Sequence, residues 1–220
     1  MRYFSLLVFT LLLGCSGNDT PVDTNTITEP TPVAIPLDRQ ESGDASIDAI
    51  RTEYGRIEDQ FEKRMLQQRN VDYHCDELDG IIQLHTENGK IVLALNQYKD
   101  GTQQTTTDRW YFKDEQLIFQ LSETNSWQLD GPMMQDSNGN MIPGVKNTTA
   151  QYRYYVKDGT VFKFLKKKYD HYTHKVDNVN PDAVPMEEMT TNGELPFRFG
   201  LAKQAIEDGE VACDFFTSIE

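Results

Sequence analysis

Cations are in short supply in this sequence relative to its anions. Its 220 residues carry 21 Lys and Arg against 35 Asp and Glu, a formal charge of −14 and a pI near 4.7. A surface so short of clustered Lys and Arg argues against nucleic acid as a partner and against adhesion to anionic lipid through protein charge. Long apolar runs are missing too: none reaches the roughly 20 residues that a membrane-crossing helix needs. There is no phosphate-cradling Gly-rich loop, no G-x-S-x-G elbow, no H-E-x-x-H and no C-x-x-C. The sequence therefore calls for no cofactor and no metal, and it nominates no catalytic residue. What it does hold, 38% apolar and 10% aromatic residues, is too much for a wholly disordered chain. The length suits one compact domain, or one domain plus a tail.

The N-terminus supplies an address. Met1-Arg2 is a short positive region, and Tyr3 to Leu13 form an apolar stretch interrupted only by Ser5 and Thr10. That is the length of a signal peptide. Leu12-Leu13-Gly14-Cys15 resembles the lipobox of bacterial lipoproteins. The resemblance implies that residues 1–14 are removed and that Cys15 is acylated as the new N-terminus. Ser16 stands where an Asp would resemble the inner-membrane retention signal of enterobacterial lipoproteins, so the expected location is the outer membrane, facing periplasm or cell surface. The segment from 15 to 43 is rich in Thr and Pro, with Pro21, Pro30, Pro32 and Pro36 opposing helix. It reads as a lipid-anchored, disordered tether.

From Asp44 the pattern becomes that of a fold, expected as one domain over 44–220. Ile47, Ile50, Tyr54, Ile57, Phe61 and Leu66 recur at helical spacing, which predicts an amphipathic helix capped by Asp44 and running to Gln68. After Asp76 the period falls to two, and turn pairs predict strands over 80–86, 90–98, 104–113, 116–123, 150–157 and 160–168. The joins are Asn88-Gly89, Asp100-Gly101, Asp114-Glu115 and Asp158-Gly159. WYFKDEQLIFQL at 110–121 aligns weakly with YYVKDGTVFKFL at 154–165, either a repeated hairpin unit or the chance likeness of two hairpins. Residues 124–149 read as a long loop, functional or mobile, and 197–208 as a short helix opened by Pro196. The expected class is α+β: an N-terminal amphipathic helix packed on a mainly antiparallel β-meander sheet, with a short C-terminal helix.

Ile50-Arg51, Tyr54, Ile57, Tyr98-Lys99-Asp100-Gly101, Trp110-Tyr111-Phe112 and residues 152–159 resemble the pattern of small lipoproteins from Bacteroidota and similar Gram-negative bacteria. The likeness spans about residues 45–170 and implies fold and location, with no activity attached.

With Cys15 given to lipid, Cys75 and Cys213 remain as an even pair in an oxidising compartment. They are either a disulfide or two buried thiols. A nucleophilic Cys75 beside His74 is disfavoured, because neighbours on a strand point to opposite faces. His171 and His174 with Asp170 and Asp177 make a poor metal set beside Lys166-Lys167-Lys168. Asp136, Asn138 and Asn140 start a calcium-like loop that lacks its Gly and distal Glu. Glu187-Glu188, or Glu123 with Asp130, are acid pairs expected by chance. The candidate binding surface is aromatic: Trp110, Trp127, Tyr152 and Tyr154. The leading expectation is a lipid-anchored, non-enzymatic interaction module. Its partners would be the membrane, through the lipid on Cys15, and a basic protein or a glycan. The alternatives are an envelope hydrolase acting on glycan or peptidoglycan, an inhibitor of a basic enzyme such as lysozyme, and a carrier of apolar ligands in a closed barrel.

Overall fold

The computed structural model describes residues 43–75, 78–135 and 138–213. Cys15, the signal segment and all of the tether but Gly43 lie outside the described residues. The chain is largely β with some helix. One helix, α1 (Ala45–Glu62), precedes seven strands: β1 (Gln67–Cys75), β2 (Leu78–Glu87), β3 (Lys90–Asp100), β4 (Gln104–Lys113), β5 (Gln116–Gln135), β6 (Met141–Lys157) and β7 (Thr160–Tyr172). A 3-10 turn at Pro181–Ala183, a short β8 (Glu187–Met189) and α2 (Phe199–Glu207) follow. Among the described residues no helix is long and apolar enough to cross a membrane.

The strands form one antiparallel sheet in chain order, β1 to β8, with β1 and β8 at opposite edges. It is an open sheet, not the closed barrel that an apolar-ligand carrier would need. Adjacent residues alternate between its faces, so Trp110 and Tyr111, both fully buried, belong to different apolar clusters. One cluster joins Tyr73, Ile82, Leu84 and Trp110 to Leu201, Ala202 and Ala205 of α2. The other joins Leu93, Tyr111, Phe119 and Tyr155 to Ile47, Ile50, Tyr54 and Ile57 of α1.

Local chemistry sets the element ends. Asp44 caps α1 by accepting from the Ser46 amide at 2.8 Å. The helix stops at Glu62, six residues earlier than its apolar spacing predicts, and Arg64 takes a left-handed φ of 55° that turns the chain into β1. Leu66 still packs on the α1 cluster, which explains why it extends the helical stripe without being helical. β1 escapes the sequence reading because its first four residues are exposed on both faces. Three hairpin turns, Asn88-Gly89, Asp114-Glu115 and Asp158-Gly159, place both central residues at positive φ, the geometry that matches strand twist.

The weak repeat has a geometric basis. The register shifts by one residue after His85, after Tyr111 and after Tyr155, each three residues before one of those turns. Three hairpins, β2–β3, β4–β5 and β6–β7, are thus built alike, a bulge followed by a left-handed turn. On the strand before each bulge, Leu84, Trp110 and Tyr154 share one face and His85, Tyr111 and Tyr155 the other. The expected loop over 124–149 is instead the outer part of β5 and β6, paired from Phe119 with Tyr155 out to Gln135 with Met141. Gly131, Pro132 and Pro143 do not end the strands there, because the first two fall in a register break between Leu129 and Met133.

Candidate functional site

The titratable groups flagged in the sequence do not converge on a reaction centre. Cys75 and Cys213 form a disulfide with Cα atoms 5.2 Å apart, which leaves neither of them free to act as a nucleophile. His74 is exposed and paired with Asp79. His171 lies opposite Asn147 on β7, whereas the His174 ring sits against Gly131 and Gly144. Asp170 is held by Thr148 at 2.7 Å and Lys146 at 3.0 Å. Among the described residues no three His, Cys, Asp or Glu come together as a metal site would require; Asp136 lies outside them. Glu187 and Glu188 are strand neighbours on opposite faces, and Glu188 pairs with Lys163 at 3.1 Å. Glu123 and Asp130 are separated by about 23 Å of strand, too far for the carboxylate spacing of glycoside hydrolysis.

Two polar clusters are buried instead, one beneath each helix. On the α1 side Glu58, 6% exposed, accepts from Arg109 Nη1 at 3.2 Å and from the Tyr111 hydroxyl at 2.7 Å. Burial raises the Glu58 carboxyl, and the Arg109 charge and Tyr111 hydrogen bond oppose that rise. On the α2 side Asp108 is wholly buried and accepts from Ser122 Oγ at 2.5 Å, which in turn accepts from Gln120 Nε2 at 2.9 Å. Arg198, at the start of α2, stands 3.8 Å from Asp108 and 5.8 Å from the Tyr98 ring centre. Burial pushes Asp108 up to about 6, with Arg198 and Ser122 pulling it down. These groups tie helices to sheet, although Asp108 Oδ2 and Gln120 Oε1 are buried without a partner; Asp108 and Glu58 are enclosed and out of a substrate's reach.

The candidate aromatic surface divides. Trp110 is fully buried against α2 and belongs to the core, a correction that follows from its side of β4 facing that helix. Tyr152 and Tyr154 are half-buried and stack on Phe164, with ring centres 6.3 Å and 4.5 Å away. Lys166 Nζ lies 5.7 Å from the Tyr152 ring centre. Trp127 is 38% exposed and donates through Nε1 to the Thr102 carbonyl at 3.2 Å. It borders an open depression of about 320 Å³ whose other walls are polar, Gln103, Gln104, Ser126, Gln128, Lys146 and Thr148.

Beyond Trp127 the paired ends of β5 and β6 form an arm that carries the most exposed apolar strip among the described residues. Leu129 is 63% exposed, Met133 53% and Met141 59%. Leu129 pairs with Val145, Met133 with Pro143 and Trp127 with Asn147, so these residues share the face that Trp127 occupies. Met141, two residues before Pro143 on β6, falls on it as well. Sequence reading missed this strip because Gly, Pro and Asn within 124–149 suggested a loop, where alternation is not sought. No family model, curated protein or solved structure matches the chain.

Proposed function

We propose that this protein is a lipid-anchored lipoprotein of a Gram-negative cell envelope, held in the outer membrane by acyl chains on Cys15. Its folded part would be a non-enzymatic interaction module. In this reading α1 and α2 brace the sheet from either side, and the β5–β6 arm is presented as a contact surface for a basic protein. The apolar strip from Trp127 through Leu129 and Met133 to Met141 carries the reading. Solvent exposure of so many large apolar groups on one side of one hairpin is costly unless something covers them. The charge of −14 supplies the complement: it would steer a cationic partner to the strip and hold the anionic bilayer surface off. That no acid, base and nucleophile converge among the described residues favours binding over the hydrolase alternative.

Site-directed photo-crosslinking on native membranes tests this. A photoreactive residue at Leu129, Met133 or Met141 should trap one basic protein, whereas a probe at Asp59, on the exposed side of α1, should not. The purified partner should then bind the native chain and lose at least tenfold in affinity for a Leu129→Ser/Met133→Ser variant. Adducts only to lipid, or only between two copies of this chain, would overturn the assignment.

A further inference from the structure

Arg153 is the most anomalous charge in the described structure. It lies on β6, on the α1 side of the sheet, between Leu121 of β5 and Leu165 of β7. Only 6% of the residue is exposed, its Nε is sealed from solvent without a partner, and the guanidinium makes no hydrogen bond or ion pair among the described residues. A buried Lys could escape that cost by losing its proton; Arg cannot. Its counterpart two strands away, Arg109, shows the ordinary solution, since Glu58 answers it at 3.2 Å.

The surroundings of Arg153 are cationic, and the acceptors beside it on β6, Gln151 Oε1 and the Tyr155 hydroxyl, are buried without engaging it. The Lys167 ammonium is held by the Pro181 carbonyl at 2.9 Å and by no carboxylate among the described residues. Burial and the Arg153 charge both depress it, while Asp182 and Glu123 act on it from further off in the opposite sense. Glu123 is committed to Gln151 at 2.8 Å and to Asn125 at 2.9 Å. Tyr54 of α1 feels the Arg153 charge from the other side. Of the guanidinium nitrogens only Nε is both sealed and unpartnered, so the two Nη groups form the edge that solvent can reach.

We infer that Arg153 and Lys167 form a binding site for a small carboxylate. A guanidinium edge matches a carboxylate with two parallel hydrogen bonds, and one negative charge is what this place can hold. A phosphate with two charges would meet Glu123 and Asp182, which already act on Lys167, in a chain already at −14. The carboxylate could be that of a free acid or of a peptide C-terminus; the chemistry at Arg153 is the same.

Calorimetric titration of the full chain with sodium acetate, and separately with N-acetyl-alanine, tests the site, with acetamide and inorganic phosphate as comparisons. Saturable binding of acetate is expected, with acetamide inert. Tighter binding of N-acetyl-alanine would identify a peptide terminus, and equal binding a free acid. Arg153→Met should keep the fold, judged by its circular dichroism and melting temperature, and should weaken binding at least tenfold. Lys167→Gln should weaken it about threefold. No saturable binding of either carboxylate, equal affinity in Arg153→Met, or a preference for phosphate would overturn the proposal. The arm variants should bind acetate normally, so this site and the arm fail or stand separately.

Discussion

Asp108 and His85 titrate in opposite senses over one pH window, and their effects on stability should cancel in the native chain. Burial lifts the Asp108 carboxyl from 3.8 to about 6. Its folded value exceeds the unfolded one, so its contribution is intact below about pH 4 and is lost as pH rises through 6. His85 is held from 6.5 down to about 4 by burial alone, its Nε2 unpartnered and its ring edge-on to Phe61 at 4.8 Å. Here the unfolded chain binds the proton more readily, so stability is full above pH 6.5 and falls as pH drops towards 4. Each gap between the folded and ordinary values is worth about 3 kcal/mol. Removing one group should therefore unmask the other. Relative to wild type, Asp108→Asn should gain about 3 kcal/mol of stability between pH 4 and pH 6.5, and His85→Leu should lose about as much. The double variant should run parallel to wild type, because the two residues sit on opposite faces of the sheet and share no partner. Urea unfolding followed by circular dichroism at four pH values in the window reads this directly. Other carboxylates, Glu58 among them, titrate alike in all four chains and drop out of the differences. A single variant whose curve parallels that of wild type would refute the assignment for that residue.

Other perturbations are simpler. Breaking the disulfide with Cys75→Ser should cost up to about 5 kcal/mol on the chain-entropy account, given a sequence separation of 138; reductant on the native chain should reproduce the loss in urea midpoint. Gly80→Ala places a methyl group in the Tyr73 ring that covers Gly80 from the opposite strand. A cost of about 1–3 kcal/mol is expected, and it should shrink in a Tyr73→Val background. Cys15→Ser should abolish acylation, which intact mass of membrane-derived protein would show; an unmodified Cys15 in the native chain would remove the anchor from the proposed function.

The parts of the fold that could be read from sequence are those where one face is wet. β4, expected over 104–113, occupies those residues, and the Asn88-Gly89, Asp114-Glu115 and Asp158-Gly159 turns fall where their residue types put them. In such hairpins side-chain alternation and turn chemistry agree, so register is specified twice. Where both faces are wet, as in the first half of β1 and the outer half of β5, alternation carries no signal and the strand stays hidden. Leu66 misled in another way: its apolar side chain serves the α1 cluster from beyond the helix end. The site was harder still. Trp110 and Trp127 look equivalent in sequence, yet one faces α2 and the other lies past the end of β4. The solitude of Arg153 depends on what fails to reach it across three strands, which no local pattern records.

The three like hairpins also set the arm apart as an extension of the repeated plan. Trp110 follows Leu84 by 26 residues and Tyr154 follows Trp110 by 44, so the third hairpin lies 18 residues late. The surplus falls entirely between Ser126 and Thr148, a pair that corresponds to Asp100 and Gln104 at the β3–β4 connection. There the chain turns with three residues, Gly101-Thr102-Gln103; here it spends 21 on the arm. The described residues of 127–147 contribute no side chain to either apolar cluster, so they add nothing to the core that would justify the arm's exposed surface. Replacing 127–147 with Gly-Thr-Gln should leave a folded, disulfide-closed chain. Its stability should fall by no more than about 1 kcal/mol, chiefly through the lost pairing of Lys146 and Asn147 with the end of β7. The shortened chain should also resist self-association better than the native one, since its most exposed apolar strip is gone. If it fails to fold, the arm is structural and the strip loses its claim to be a contact surface. If it folds and still binds the purified partner as tightly as the native chain does, the contact lies elsewhere on the sheet.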